Sequence, residues 1–334
     1  MENSKKVIGV LKSCPAVKRC PHNPVLSAKD VPYPASLVFN AGVARYNGKY
    51  VMIFRNDRGD ADKGQLPWDT KLGLAFSADG VKWRVEPKPC FIMQDRDIKR
   101  SAYDPRLTVI DGRCYVCFAL TCHHGIRAGI AVTDDFENFE VLSLTVPDNR
   151  NMVLFPEKIN NMYVRLERPF SMCGRGGREL FDIWISESPD LKYWGNSRLL
   201  LTVEDVPFAN AKIGPAAPPL KTDKGWLVTF HAVDVDPAQR KNGWEETWNK
   251  RYTAGIMLLE LENPGKIIGF CKEPLFVPEA SYEIEGGFRN NIVFPGGLVL
   301  EGSGEVKIYY GAADAVECLA TAHVDDLLKL CVPL

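Results

Sequence analysis

The chain lacks a surplus of charge of either sign. Its 41 Lys and Arg against 42 Asp and Glu leave a formal net charge of −1, which argues against a nucleic acid or a membrane surface as its main partner. No apolar run is long enough to span a bilayer. The opening MENSKKVIGVLKSC has neither a long apolar stretch nor a small-residue cleavage site, so no secretory signal is read and a cytoplasmic location is expected. Helical periodicity is nearly absent, with weak candidates around 325–330 and in the first residues, which excludes a helical bundle. A zinc-ribbon pattern is missing as well. Cys114 and Cys117 form one CxxC inside the alternating run RCYVCFAL, which sends them to opposite faces of a strand, and no second CxxC follows. Cys122-His123-His124 has no partner set, and Cys90, Cys173, Cys271, Cys318 and Cys331 are scattered singly. Free thiols, without a metal, are the expected state.

What is present is an ordinary globular composition, 46% hydrophobic and 25% charged over 334 residues, with ample material for a core in one large domain or two. A two-part phrase recurs along it. The first part is a strand, a turn carrying Gly or Asn, and a second strand rich in aromatic and β-branched residues. It starts at Val38, Ala102, Val153, Ile213 and Ile292. Asn47-Gly48, Asp111-Gly112 and Asn160-Asn161 supply the residues that tight primed hairpin turns require. The second part is a strand and a short acidic or polar turn, as in LGLAFSADGVKW and AGIAVTDDFENFE; CLATAHVDDLLKL supplies it for the last copy. Five copies of a four-stranded phrase predict an all-β, five-bladed β-propeller over 38–334. Residues 1–37, with Pro15, Pro21, Pro24, Pro32 and Pro34, are expected to form an N-terminal arm strapped across the first blade.

The first strand of each phrase is rich in small residues and proline, which suits an innermost strand where blades converge and one edge lies unpaired. Five separated motifs thereby become neighbours around a funnel. Asp104, directly before Pro105, is expected in extended geometry at its mouth. The funnel would collect carboxylates (Asp57, Asp104, Glu157, Asp314) and cations (Arg150 beside Asn151, Arg168, Lys212, His231), the cations all from the third and fourth phrases. Each cation alone would pair with a local acid, such as Arg168 with Glu167 or Glu157. Four together point to an anion, and guanidinium forks match phosphate oxygens. Asn40, Arg55, Asp57 and Asp314 are sugar-sized polar groups, and Tyr103, Tyr252 and Phe288 could stack on a pyranose. The insertion DVDPAQRKNGWEETWNK, with Trp244 and Trp248, reads either as a lid or sugar-stacking loop or as a surface loop whose aromatics pack down. An inverting glycosidase needs an acid and a base that activates water; bound phosphate in place of both base and water makes a phosphorylase, which needs only one protein carboxylate.

The set Phe39-Asn40-Ala41-Gly42, Tyr103-Asp104-Pro105-Arg106, Phe155-Pro156-Glu157-Lys158, Arg168-Pro169, Ile213-Gly214-Pro215 and Asp314, in that order and covering nearly the whole chain, resembles glycoside hydrolase family 130. The resemblance implies a five-bladed β-propeller and phosphorolysis of β-mannosides to α-D-mannose 1-phosphate, with inorganic phosphate as co-substrate and no cofactor. It implies Asp104 as general acid, acting through a hydroxyl of the mannosyl residue. It assigns phosphate to Arg150, Asn151, Arg168, Lys212, His231 and Tyr252, and the mannosyl ring to Asn40, Arg55, Asp57 and Asp314. The arm and the lack of a long C-terminal extension resemble the β-1,4-mannooligosaccharide phosphorylases, in which arm-mediated homo-oligomers are common. Phosphorylases of β-1,4-mannosylglucose, mannosyl-N-acetylglucosamine or β-1,2-mannobiose are the neighbouring readings. A β-mannosidase with Glu157 or Asp314 as base, and a non-catalytic sugar-binding propeller, are the rivals. Acceptor choice is expected to rest on the loops 61–69 and 234–250.

Overall fold

A computed structural model describes residues 8–60, 65–171, 180–235, 243–244 and 248–333, with the side chains of 65–68 left aside. Cys173 and parts of both acceptor-loop candidates (61–64, 236–242 and 245–247) lie outside the described residues.

Five antiparallel sheets form the molecule, each built around a hairpin. Blade 1 runs outward from the axis as Leu37–Tyr46, Lys49–Asp60, Gln65–Ser77 and Arg84–Val85. Blade 2 is Ile98–Ile110, Arg113–Cys122, Gly125–Thr133 and Glu140–Leu144, and blade 3 is Asn149–Leu154, Tyr163–Pro169, Ile183–Ser188 and Gly195–Leu201. Blade 4 is Lys212–Pro215, Trp226–Val235, Lys250–Leu259 and Ile267–Phe270, with Leu220–Lys221 added to its second strand. Blade 5 is Val293–Leu300, Glu305–Ala312 and Val316–His323. The predicted hairpin turns form with left-handed backbones: φ is 48° and 78° at Asn47-Gly48, 50° and 78° at Asp111-Gly112, and 52° and 64° at Asn160-Asn161. Glycine and asparagine reach that region at little cost, which is why those pairs mark the turns.

CLATAHVDDLLKL gives the third strand of blade 5, as expected, and the helical candidate around 325–330 forms the helix Val324–Leu330, so this segment holds no fourth strand. The outermost position is taken by Lys18–Arg19 of the arm, which pairs with Ala320 and Thr321. The arm therefore completes the last blade before it crosses onto the first. Its following residues settle in the joint between blades 5 and 1, where Leu26 packs with Val38, Tyr309 and Leu319. Asn23 works there as an extra ladder residue, its amide donating to Leu319 O at 2.8 Å and accepting from Leu319 N at 2.8 Å.

Each blade is buried on both faces, because alternate residues of a strand enter different inter-blade cores. Val51 and Ile53 pack toward blade 2, while Tyr50, Met52 and Phe54 pack toward blade 5. The same alternation divides the CxxC: Cys114 lies in the core shared with blade 1, and Cys117 in the core shared with blade 3. Burial pushes both thiols up to about 12. All the described cysteines are free, and among the described residues no three His, Cys, Asp or Glu side chains gather as a metal set. No helix among the described residues is long and apolar enough to cross a membrane.

At the axis the backbones nearly touch. A Cβ at Gly42 would come within 2.8 Å of Leu107 N. Arg106 fills the floor and donates to carbonyls from four blades: Asn40 O (3.3 Å), Pro105 O (2.7 Å), Pro295 O (3.4 Å) and Ala216 O. Inner strands expose an unpaired edge of carbonyls, and one guanidinium with five donors satisfies them together.

Candidate active site

Asp104 does not sit in extended backbone. Its φ is 51°, because Asp104 and Pro105 together oppose a single residue between the register pairs Tyr103↔Ala119 and Arg106↔Cys117. Such a bulge places its first residue in the left-handed region, which Asp and Asn tolerate. The same device recurs on both flanking blades. Asn40 (φ 53°) bulges between Phe39 and Gly42, and Asn151 (φ 56°) between Arg150 and Val153. Three equivalent side chains, amide, carboxylate and amide, are thus turned out of their ladders on consecutive blades.

The acid is held by three neighbours. Asn40 Nδ2 and Arg55 Nη1 donate to its Oδ1 at 3.1 and 3.0 Å, and Arg150 Nη2 donates to Oδ2 at 2.8 Å. Burial pushes its carboxyl upward, but Arg55, Arg150, Arg106 and the Asn40 hydrogen bond outweigh that and hold it far below the usual carboxylate range. Arg55 is itself locked. Its Nε reaches both oxygens of Asp57 at 3.1 Å and its Nη2 reaches Oδ2 at 2.6 Å, while Thr70 donates to Asp57 Oδ1 at 2.7 Å. Asp57 is fully buried, so it acts as the buttress of Arg55.

On the other side of Asp104, blades 3 and 4 carry the cations. Arg150 and Arg168 are register partners on adjacent strands. Arg168 lies 3.1 Å from His231 Nε2 and 5.5 Å from the ring centres of Phe170 and Phe181, which stack on each other, and Gly214 leaves room where a Cβ would meet the His231 ring. Lys212 stands 5.2 Å above the Tyr252 ring. Local acids are spent elsewhere. Glu167 pairs with Arg165 at 2.9 Å, and Glu157 pairs with Lys221 at 2.5 Å. Glu157, expected in the funnel, is therefore a surface residue, because the inner strand of blade 3 ends at Leu154 before reaching it. Crowding of like charge shows in the protonation behaviour. Burial and then Arg150 bring Arg168 down to about 9; burial and then Arg168 lower Lys212 and His231 well below their ordinary values. Donation from Arg168 to Nε2 assigns the proton of neutral His231 to Nδ1. Arg150 Nε, Arg168 Nε, His231 Nδ1, Asn40 Oδ1 and Asn151 Oδ1 are all buried without a protein partner. Buried polar atoms are rarely left so, and five in one funnel mark a polar ligand site.

The remaining expected residues form the wall. Tyr103 is buried, with Arg55 at 5.1 Å and Arg150 at 5.6 Å from its ring centre and its hydroxyl 3.2 Å from Thr121, so it spaces the guanidiniums. Phe288 packs on Leu37 and Phe39, and Asp314, which burial raises, faces Arg289 at 3.4 Å. The tryptophans of the insertion pack down: Trp244 meets Phe288 edge-on, and Trp248 stacks on Tyr252 and donates to Asn290 O at 3.0 Å. Thr70 and Arg289 are absent from the sequence analysis, and Arg106 enters it only within the motif Tyr103–Arg106, with no role of its own. Each acts through a partner distant in sequence, and only the regular position of Asn40, Asp104 and Asn151 within each phrase was there to be read.

Fold and site define a class: a five-bladed propeller enzyme with one acid set beside an arc of cations. Comparison with known proteins places it further. The family model described as β-1,4-mannooligosaccharide phosphorylase matches residues 14–332. The β-1,4-mannooligosaccharide phosphorylase of Ruminococcus albus is 32% identical over 317 residues, covering 92% of this chain and 88% of that one. The 1,2-β-oligomannan phosphorylase of a Thermoanaerobacter species is 31% identical, covering 93% and 98%. The β-1,2-mannobiose phosphorylase of Listeria innocua, solved with β-1,2-mannobiose, superposes with a TM-score of 0.79 at 26% identity, covering 94% and 98%. The chain belongs to glycoside hydrolase family 130 and is a β-mannoside phosphorylase, a glycosyltransferase-type enzyme.

Proposed function

We propose that the enzyme cleaves β-1,4-mannosidic linkages of mannooligosaccharides with inorganic phosphate, inverting the anomeric centre to give α-D-mannose 1-phosphate. The observation that carries this reading is the placement of Asp104 beside the arc of Arg150, Arg168, Lys212 and His231, with Arg150 touching the acid at 2.8 Å. In the reaction a phosphate oxygen attacks the anomeric carbon as the glycosidic C–O bond breaks. The leaving oxygen takes a proton from a mannosyl hydroxyl, and that hydroxyl is resupplied by Asp104. Arg150, Asn151, Arg168, Lys212, neutral His231 and Tyr252 hold the phosphate. Asn40 and Arg55 take hydroxyls of the mannosyl ring, with Asp57 fixing Arg55 from behind and Asp314 and Phe288 completing the wall. No second carboxylate is needed, since phosphate is itself the nucleophile.

The β-1,4 linkage is supported by the family description and the Ruminococcus relative. A β-1,2 linkage is the second reading, favoured by the 31% identical Thermoanaerobacter enzyme. A panel of β-1,4- and β-1,2-linked mannobiose and mannotriose, β-1,4-mannosylglucose and mannosyl-N-acetylglucosamine, assayed for mannose 1-phosphate, separates them. Turnover of the β-1,4 oligomers at least about tenfold above the others is expected, a margin of roughly 1.4 kcal/mol in transition-state binding. Faster turnover of β-1,2-mannobiose would reverse the assignment.

A further inference from the structure

A general acid must carry a proton, yet Asp104 receives donors on both oxygens and is a carboxylate in this arrangement. Some donor has to leave before Oδ2 or Oδ1 can bind hydrogen, and the three donors differ in freedom. Arg55 is tied three ways to Asp57, which Thr70 holds in turn, and its side chain is 9% exposed. Asn40 is fixed by its bulge. Arg150 has no carboxylate other than Asp104 among the described residues, its Nε is unpartnered, and its side chain is 26% exposed. It also stands at the edge of the cationic arc, in register with Arg168. Arg150 is thus the one donor with a second place to go.

We infer that Arg150 is a shared clamp that passes from Asp104 to the phosphate, so that anion binding frees Oδ2 and arms the acid. This rests on the phosphorylase reading of the arc and adds an order of events to it. Phosphate offers Arg150 a doubly charged acceptor matched to its fork. Once Arg150 turns, Asp104 keeps Asn40 and Arg55 on Oδ1, while Oδ2 takes up a proton from solvent. The groups that set this exchange come from every blade around the acid: Arg55 and Asp57 from blade 1, Tyr103 and Arg106 from blade 2, and Arg150 and Arg168 from blade 3. Lys212 and His231 from blade 4 and Asp314 from blade 5 complete the set. Two consequences follow. The acid is disarmed while the nucleophile is absent, which suppresses futile proton delivery to a bound mannoside. The coupling is also reciprocal, because a carboxylate that competes for Arg150 must weaken phosphate binding by the factor that phosphate weakens the clamp.

Reciprocity gives a double-mutant cycle. Inorganic phosphate is titrated calorimetrically into the wild type, Asp104→Asn, Arg150→Lys, Arg150→Gln and the two double variants. The clamp predicts that Asp104→Asn binds phosphate about fivefold or more tightly than the wild type. It predicts that this gain disappears in the Arg150→Gln background and is reduced in Arg150→Lys. An equal gain in all backgrounds would mean through-space repulsion and overturn the clamp, as would no gain at all. Both outcomes leave the phosphorylase reading standing, whereas a wild type that binds no inorganic phosphate sinks that reading and the clamp together. A second readout is the alkaline limb of kcat/KM for the mannoside, where activity is lost as the acid deprotonates; the clamp moves it to higher pH as phosphate rises toward saturation.

Discussion

The two halves of the funnel follow opposite rules. On blades 1 and 2 the charges around the acid are matched: Asp57 with Arg55 and Thr70, Asp104 with Asn40, Arg55 and Arg150, while Arg106 on the floor is held by backbone carbonyls. On blades 3 and 4, Arg168 and Lys212 have no carboxylate partner among the described residues, and His231 is kept neutral beside them. The matched half is rigid and supplies geometry. The unmatched half crowds like charges together, and on the proposed reading a bound phosphate would relieve their repulsion.

The contrast predicts that the same kind of mutation has different consequences on the two sides. The largest effect is on turnover: Asp104→Asn should cut kcat by about 10²–10⁴-fold while mannoside binding persists, read by steady-state kinetics and calorimetry. Next come the buttress and the seat. Asp57→Asn leaves the buried Arg55 with Asp104 as its remaining carboxylate and should cost about 1–3 kcal/mol in denaturant unfolding. Lys212→Met should leave stability level or raised, while phosphate KM climbs at least about tenfold, a loss of roughly 1.4 kcal/mol in phosphate binding. Equal destabilisation by both would erase the distinction between the halves.

A smaller effect lies in pH. His231 is held below its ordinary value of 6.5, so the unfolded chain binds the extra proton once pH falls below that value. Stability contributed by neutral His231 is therefore present above about pH 6.5 and is lost on acidification, at up to about 1.4 kcal/mol per pH unit. Asp104 is also depressed, but its contribution is lost only as pH falls below 3.8. Unfolding free energies measured from pH 7 to 5 should show the His231 slope in the wild type, and His231→Phe should flatten it. The smallest effect belongs to Glu157→Gln. That residue sits in an exposed pair with Lys221, and its removal should change stability by about 0–1 kcal/mol and leave turnover unchanged. A large loss of activity there would restore it as a catalytic base.

Much of this was legible in the residues because it is local. Asn47-Gly48, Asp111-Gly112 and Asn160-Asn161 announce their turns, since few other pairs reach positive φ cheaply. The alternation around Cys114 and Cys117 follows from strand periodicity. The gathering of the cations was legible for a different reason: side chains at the same place in neighbouring repeats must converge. What stayed hidden depends on pairing between distant segments. Nothing near Asp57 announces that Thr70 will be its register partner. The pre-proline rule predicted extended backbone at Asp104, but the bulge overrode it. Neither the arm's place in blade 5 nor the carbonyls on Arg106 can be seen until the ring closes.

On the proposed mechanism the cationic arc delivers phosphate to the anomeric carbon opposite a single acid. The most direct test of this mechanism is a phosphorus NMR time course with β-1,4-mannobiose, following inorganic phosphate and sugar phosphate together. One phosphate consumed per linkage broken, appearing first as the α-anomer of mannose 1-phosphate, is the predicted result. Free mannose released in a 2:1 ratio to the disaccharide, with inorganic phosphate unchanged, would contradict it.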